Sequence, residues 1–227
     1  MLQALIFDFD GLLLDTETPE VQTWQALYRQ FGFELPMHEW HKIIGGYGLS
    51  DFDPAAHLVQ LTGRKLDKAE LRLRYRAQAD EKIAAQPLLP GALDLLRAAK
   101  REGLKLAVGS SSSHLWVDAH TKRLGIYEYF DCLVCSDDVP AGRTKPHADI
   151  YIKVLERLAA PSRAAVVFED SPNGVLAAQR AGIFAVAVPN PLTAAMNVRG
   201  DWTVPSLAEI SLRQLETAIK AAYVRAA

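Results

Sequence analysis

The chain has 227 residues and a formal net charge of −2, and its composition is 49% hydrophobic and 23% charged. This balance is typical of a globular protein with a substantial core, and it gives no broad electrostatic case for a nucleic-acid or anionic-membrane partner. No apolar run approaches the ~20 residues that span a bilayer, and the first residues form no signal-peptide pattern. We therefore expect a cytoplasmic protein with no nucleic-acid or membrane partner, and monomer is the default state.

The two cysteines, Cys132 and Cys135, favour a reducing compartment over a disulfide scaffold. Their Cys-x-x-Cys spacing also occurs in redox and metal sites. Here it lies in the apolar run FDCLVCS, and residues three apart in a strand point to opposite faces of a sheet. The sequence has no second cysteine pair to complete a zinc site, so we interpret both as core cysteines.

The stretch LIFDFDGLLLD, residues 5–15, organises the functional prediction. Its first three residues are typical of a buried strand, and Asp8 and Asp10 follow where the strand ends, before Gly11. In an open α/β sheet, ligands bind at this carboxyl edge. Two neighbouring carboxylates need a compensating cation or a shared proton; Mg²⁺ fits best as the cation, and one of the carboxylates can act as a nucleophile. The alternative is a polar turn with two solvated acids.

Residues 16–85 have a helical pattern with almost no strand-like run. Apolar positions at helical spacing predict helices over residues 24–31, 38–44, 54–61 and 67–85. A run of helices inserted between strands indicates a separate helical cap. The predicted domains are therefore a core of residues 1–15 and 86–227 and a cap of residues 16–85.

From residue 90 onward, predicted helices and strands alternate. Helices are expected over residues 90–102, 115–124, 148–158, 172–181 and 207–224, and strands over residues 105–108, 133–135, 165–168 and 184–188. This alternation predicts an α/β core with a Rossmann-like parallel sheet and helices on both faces.

Three later loops, each after a predicted strand, carry groups suited to phosphate chemistry. The serines of residues 109–113 precede a helix and offer hydroxyl and N–H groups to an anion, although they also suit a simple helix cap. Lys145 is a candidate cation for a phosphate, or an ordinary solvated lysine. Glu169 and Asp170 end a third strand and supply further carboxylates for a metal. Together these groups provide the charge neutralisation and positioning that phosphoryl transfer needs.

The ordered motifs FDFDGLLLDTE, VGSSSS, TKPHADIY and FEDSPNGVLAA cover nearly the whole chain. In this order they resemble the haloacid dehalogenase-like superfamily, in its phosphatase and β-phosphoglucomutase-like branch with a helical cap. The resemblance implies Mg²⁺ as cofactor and an aspartyl-phosphate intermediate. It also implies the following roles: nucleophile, Asp8; general acid/base, Asp10; phosphate binding, Ser110 and Lys145, with Ser111 as a further candidate; metal binding, Asp8, Asp170, the backbone carbonyl of Asp10, and Glu169 directly or through water.

The expected reaction is hydrolysis of a small phosphorylated metabolite, and two alternatives stay open. A β-phosphoglucomutase-like enzyme needs a cation for a distal phosphate, but no arginine occurs between Arg29 and Arg64. Arginines of the predicted long cap helix are candidates to replace it, although a solvated helix face explains them as well: Arg72, Arg74 and Arg76. The second alternative is a non-catalytic phosphate-binding protein, since a fold does not determine a function.

Three further residues are candidates for substrate specificity. Gly46 and Tyr47 lie in a glycine-rich cap loop that is expected to close over the site, unless it is an ordinary connection between helices. Trp116 lies near the same sheet edge as the catalytic loops and is expected to line the substrate pocket or to pack in the core.

Overall fold

A computed structural model describes residues 2–43 and 51–225, and for residues 223–225 it describes the backbone only. The chain forms two compact units. The first comprises Met1–Leu14 and Pro87–Ala227, and the second comprises Asp15–Gln86. The prediction of a core domain and a cap domain stays a prediction.

The first unit is built on a six-stranded sheet in the order β3-β2-β1-β4-β5-β6, and every neighbouring pair is parallel. The strands are β1 (Ala4–Phe7), β2 (Lys105–Gly109), β3 (Cys132–Val134), β4 (Ala165–Glu169), β5 (Phe184–Ala187) and β6 (Trp202–Thr203). The helices are α5 (Ala92–Arg101), α6 (His114–Arg123), α7 (Asp149–Leu158), α8 (Pro172–Arg180) and α9 (Leu212–Arg225). This is the parallel, Rossmann-like α/β fold that the alternating pattern predicts.

The sheet is buried on both faces, as the apolar runs of its strands require. Ala4 and Ile6 on one face of β1 pack with α7 and α8 in the main core cluster. Leu5 and Phe7 point to the other face and are also fully buried. Parallel sheets are covered on both faces because the crossover helices lie there, which explains why the strands read as continuous apolar runs.

The order of the strands places the predicted catalytic loops side by side. From β1 the chain moves outward through β2 and β3, then returns to the opposite side of β1 with β4. Phe7 and Phe168 are in register on β1 and β4, and the backbone N–H of Asp8 donates to the carbonyl of Phe168 at 3.0 Å. The loops after β1 and β4 therefore begin next to each other at a point where the strand order reverses, which is the usual ligand site of such sheets.

The second unit is helical. It contains α1 (Glu17–Gln30), α2 (Met37–Trp40), α3 (Pro54–Thr62) and α4 (Lys68–Ala84). Trp24 of α1 stacks on Tyr75 of α4 with ring centroids 4.5 Å apart, and the Tyr28 hydroxyl donates to the carbonyl of Pro54 at 2.9 Å. Aromatic packing and this buried hydrogen bond thus join α1 to α4 and to the start of α3.

The predicted element boundaries differ from the structure mainly where local signals are weak. Helix α1 begins at Glu17, seven residues before the predicted start, because Pro19 and polar residues hide the periodicity of its first turns. The predicted last helix is divided into a 3-10 turn at Leu207–Glu209 and α9. The two-residue strand β6 has no counterpart among the predicted strands, since it is shorter than any readable period. Among the described residues, no helix is long and apolar enough to cross a membrane.

Candidate active site

Four side chains, at the ends of strands or in the loops that follow them, form a buried charged group at the carboxyl edge of the sheet. The ammonium Nζ of Lys145 lies 2.6 Å from Asp8 Oδ1 and 2.6 Å from Glu169 Oε1. Asp8, Glu169 and Asp170 each place a carboxylate oxygen within 4.8 Å of the others. All four side chains are buried, so these charges are largely shielded from solvent.

Burial and mutual charge control the protonation of this group. Burial raises the pKa of Asp8, and the adjacent Lys145 opposes that rise. Burial and the charge of Asp8 raise the pKa of Glu169 to about 7, although Lys145 acts in the other direction. Burial alone would lower the pKa of Lys145, but the charges of Asp8 and Glu169 outweigh it and raise that pKa. Lys145 is therefore a permanent cation at physiological pH.

The donor set fits a divalent cation. Three carboxylates of the group face one ammonium, so their full ionisation leaves an excess of two negative charges in a buried site. Such an excess is costly unless a cation is present. Carboxylate oxygens are the ligands of hard cations such as Mg²⁺, which binds through one or two carboxylates and keeps several waters. Asp8, Asp170 and Glu169 would hold the ion.

Glycines allow the carboxylates to approach the backbone. Gly174, in the first turn of α8, lies against Glu169, and a Cβ atom there would come within 1.9 Å of the carboxylate. Gly11 has a positive φ of +78°, and a Cβ atom there would come within 2.3 Å of Asp170 Oδ2. Asn190 completes this side of the site by donating from Nδ2 to Asp170 Oδ2 at 2.8 Å. The positions of both acids thus depend on the absence of a side chain at two glycines.

Replacing Gly174 by alanine is therefore expected to displace Glu169. We expect the Gly174→Ala protein to lose about 1–3 kcal/mol of unfolding free energy, the usual effect of overpacking, together with affinity for a divalent cation. Gly32→Ala is the comparison, since Gly32 has a φ of +81° and no atom lies within 4 Å of the place that an added methyl group would take. It should cost about 1 kcal/mol through backbone strain alone. Urea denaturation and calorimetric Mg²⁺ titration would test this, and unchanged Mg²⁺ affinity in Gly174→Ala would contradict it.

The carboxylate of Asp10 faces a different set of partners. Its Oδ1 accepts a hydrogen bond from the indole Nε1–H of Trp116 at 2.8 Å. Its Oδ2 accepts one from the hydroxyl of Ser112 at 2.6 Å and lies 3.5 Å from the hydroxyl of Ser110. A contribution of Asp10 to a metal would therefore come from its backbone carbonyl, as the family resemblance implies.

The loop after β2, residues 110–113, is called the serine loop, and it is held by the loop after β3. Asp137 accepts a hydrogen bond from the backbone N–H of His114 at 2.6 Å, so a protein carboxylate caps the start of α6. The ring of His114 lies between two further acids, with Nε2 2.8 Å from Asp138 and Nδ1 3.1 Å from Asp118. Arg157 also pairs with Asp138. These contacts join the start of α6 to the loop after β3, and that loop to α7.

This network predicts a pH-dependent contribution to stability. Burial alone would lower the pKa of His114, but its hydrogen bonds to Asp118 and Asp138 outweigh burial and raise that pKa. The stabilisation is complete below the unfolded-state pKa of about 6.5 and is lost as pH rises through the folded-state pKa. His114→Gln should therefore destabilise the protein more at pH 5.5 than at pH 8.5, measured by urea denaturation. His38→Gln, at a side chain that is 76% exposed, is the control. An equal loss of stability in His114→Gln at both pH values would contradict the assignment.

The structure brings most of the predicted site residues together. Asp8, Lys145, Glu169 and Asp170 form the buried charged group, while Asp10 and Ser110 lie beside one another on its serine-loop side. Ser111 is exposed, and it is Ser112 whose hydroxyl bonds Asp10. Gly46 and Tyr47 lie outside the described residues. The catalytic, phosphate-binding, metal and specificity roles stay predictions.

Sequence reasoning missed three residues of the site. Ser112 was one of four identical serines, and only the path of the loop distinguishes it. Tyr151 lies on α7, and its hydroxyl donates to Glu169 Oε1. Asn190 follows the end of β5 at the same edge of the sheet, and a polar residue after a predicted strand was a usable signal there.

The three arginines considered above, Arg72, Arg74 and Arg76, pair with groups of their own helical unit. Arg72 lies 2.5 Å from Asp53, and Arg76 lies 3.6 Å from Glu20. Arg74 donates to Gln30 at 3.0 Å. These contacts at the surface of the helical unit explain the arginines without a distal phosphate.

Comparison with known proteins shows the family of this chain. A family model for the haloacid dehalogenase-like hydrolases matches residues 5–188, so the chain belongs to that family. It is 37% identical over 216 residues to a Bacillus subtilis (strain 168) protein named "Putative phosphatase YhcW", covering 95% of this chain and 96% of the relative.

Two further relatives come from Thermotoga maritima. The "Phosphorylated carbohydrates phosphatase" of strain MSB8 is 31% identical, over 80% of this chain and 82% of the relative. A crystal structure described as a "putative beta-phosphoglucomutase" superimposes with a TM-score of 0.77 at 28% identity, over 95% of this chain and 99% of that one. The chain is thus a hydrolase of a family that includes phosphatases and mutase-like structures.

Proposed function

We propose that this protein is a Mg²⁺-dependent phosphatase that hydrolyses a small phosphorylated metabolite, such as a sugar phosphate, through an aspartyl-phosphate on Asp8. The observation that carries the proposal is the buried group in which Lys145 lies 2.6 Å from both Asp8 and Glu169, with Asp170 beside them. The phosphatases among its relatives, one named for phosphorylated carbohydrates, support the same reaction class.

The side chains suit the two halves of such a reaction. Asp8 attacks phosphorus, and Lys145 holds the carboxylate in place and offsets negative charge next to it. Asp10 donates a proton to the leaving oxygen, then removes one from the water that hydrolyses the aspartyl-phosphate. The hydroxyl and backbone N–H groups of the serine loop, which includes Ser110, bind the phosphoryl oxygens. Asp8, Glu169 and Asp170 would hold Mg²⁺, which would supply neutralisation of the charge on the transferring group.

A mutase is the second candidate, because a structural neighbour carries that description. It would need a site for a second phosphate. Arg72, Arg74 and Arg76 pair with acids or an amide of their own unit, and no arginine occurs between Arg29 and Arg64. These observations favour hydrolysis.

The test is an assay of purified protein with and without Mg²⁺ on sugar phosphates, phosphoglycolate and nucleoside monophosphates. Mg²⁺-dependent release of inorganic phosphate, abolished by EDTA and restored by Mg²⁺, is the expected result. Interconversion of glucose phosphates without release would establish the mutase instead. Binding of these compounds without turnover would contradict both enzymatic assignments and would indicate a phosphate-binding protein.

A further inference from the structure

The indole of Trp116 is bonded to the proposed general acid/base rather than packed only as a core residue. Its Nε1–H donates to Asp10 Oδ1 at 2.8 Å, a good length for a hydrogen bond to a carboxylate. The ring is held in turn by His120, one helical turn later on α6, with ring centroids 4.3 Å apart in an edge contact. His120 is only 8% exposed, so the indole rests on a buried support.

The two oxygens of Asp10 meet chemically different donors. An indole N–H can only donate, whereas a serine hydroxyl can donate or accept. Oδ1 therefore faces a group that favours a lone pair and disfavours a proton. Oδ2 faces Ser112 at 2.6 Å and Ser110 at 3.5 Å, and these hydroxyls can accept as well as donate. The proton of a protonated Asp10 belongs on Oδ2, which is the oxygen on the side of the serine loop.

We propose that Trp116 is a positioning residue for Asp10, which holds Oδ1 so that Oδ2 transfers the proton. This inference rests on the proposed phosphatase function. In the first half-reaction, the bond from phosphorus to the leaving oxygen breaks, that oxygen takes the proton of Oδ2, and phosphorus bonds to Asp8. In the second, Oδ2 takes a proton from water as the water oxygen bonds to phosphorus and the bond to Asp8 breaks. The products are an alcohol and inorganic phosphate, and Asp10 ends protonated as it began.

The test compares leaving groups. Protonation matters for an alkyl phosphate, whose alkoxide is a poor leaving group, and little for 2,4-dinitrophenyl phosphate. The value of kcat/KM depends only on the steps up to and including the first irreversible step. When phosphorylation of the enzyme is that step, kcat/KM is not affected by the later hydrolysis of the aspartyl-phosphate. We expect Trp116→Phe to lower kcat/KM about 10- to 100-fold for a sugar phosphate, the loss of one hydrogen bond to a charged group, and less than about threefold for the dinitrophenyl ester.

A double-mutant comparison checks that the effect passes through Asp10. With phenyl phosphate under single-turnover conditions, Trp116→Phe should lower the rate in the otherwise native protein. It should change the rate less than about twofold in the Asp10→Asn protein, where no acid remains to be positioned. Leu115→Ala, at a neighbouring side chain 86% exposed, is the matched control on α6 and should affect neither substrate.

A second variant removes the concern that phenylalanine disturbs packing. Site-specific incorporation of the benzothienyl analogue at position 116 replaces the indole N–H by sulfur and retains the two-ring shape. It should reproduce the leaving-group-dependent loss. Equal losses of activity on both substrates would overturn the proposal, and so would no loss on either. A gain in activity would also overturn it, because it would show that the hydrogen bond restrains Asp10. Failure of the proposed function is distinguishable, because the native protein itself would then release no phosphate.

Discussion

The Asp8→Asn protein is expected to fold normally and to release phosphate at least about 10⁴ times more slowly than the native protein, as when other enzymes lose their nucleophile. The amide has the shape of the carboxylate but is a far poorer nucleophile, and Lys145 keeps its second partner, Glu169, at 2.6 Å. Acid-quenched reactions with ³²P-labelled substrate should leave label on the native protein and none on the variant.

The control for this substitution is Asp94→Asn, at an exposed acid on α5, which should leave turnover within about twofold, as surface changes usually do. Native turnover in Asp8→Asn would contradict the role of Asp8. If the Asp8→Asn protein retained the ³²P label, another group would carry the phosphate.

Lys145→Met is expected to cost about 3–5 kcal/mol of unfolding free energy, since breaking a buried ion pair leaves its partners uncompensated. The ammonium lies between Asp8 and Glu169, which are both buried, and methionine retains most of the length of the side chain without its charge. Phosphate release should also fall at least about 100-fold, because the charge next to the nucleophile is lost.

Lys153→Met provides the comparison in the same assay. Its side chain is 42% exposed, and its Nζ lies 3.9 Å from Glu156, so the loss of this surface pair should cost less than about 1 kcal/mol. Urea denaturation of both variants measures the difference. Equal costs for Lys145 and Lys153 would show that the buried cation does not hold the carboxylates together.

The sequence predicted the site residues that follow the end of an apolar run. Asp8 directly follows β1, whose four residues are all buried, and Glu169 is the last of the five buried residues of β4. The change from apolar to acidic residues is therefore visible without a structure. The parallel sheet then follows from the alternation of strands and helices, because such crossovers return each strand to the same direction. Element ends were less exact, as at the first helix, where periodicity begins late.

The sequence did not predict relationships that depend on side-chain direction across distant segments. Ser111 and Ser112 are chemically identical neighbours, and the path of one loop decides which hydroxyl reaches Asp10. Ser112, which reaches it, is 102 residues away from Asp10 in the chain. Trp116 had the pattern of a pocket or core residue, yet its N–H is directed at that same carboxylate.

By itself, the sequence determined the family, the parallel α/β class and the acidic and basic candidates for the site, because all of these depend on local composition and order. Only the tertiary structure decided that Lys145 lies between Asp8 and Glu169 and that Trp116 bonds Asp10. The physical reason is that hydrogen bonds and ion pairs depend on distances of a few tenths of an ångström. Such distances arise from strand order and helix packing across more than a hundred residues, which no local pattern encodes.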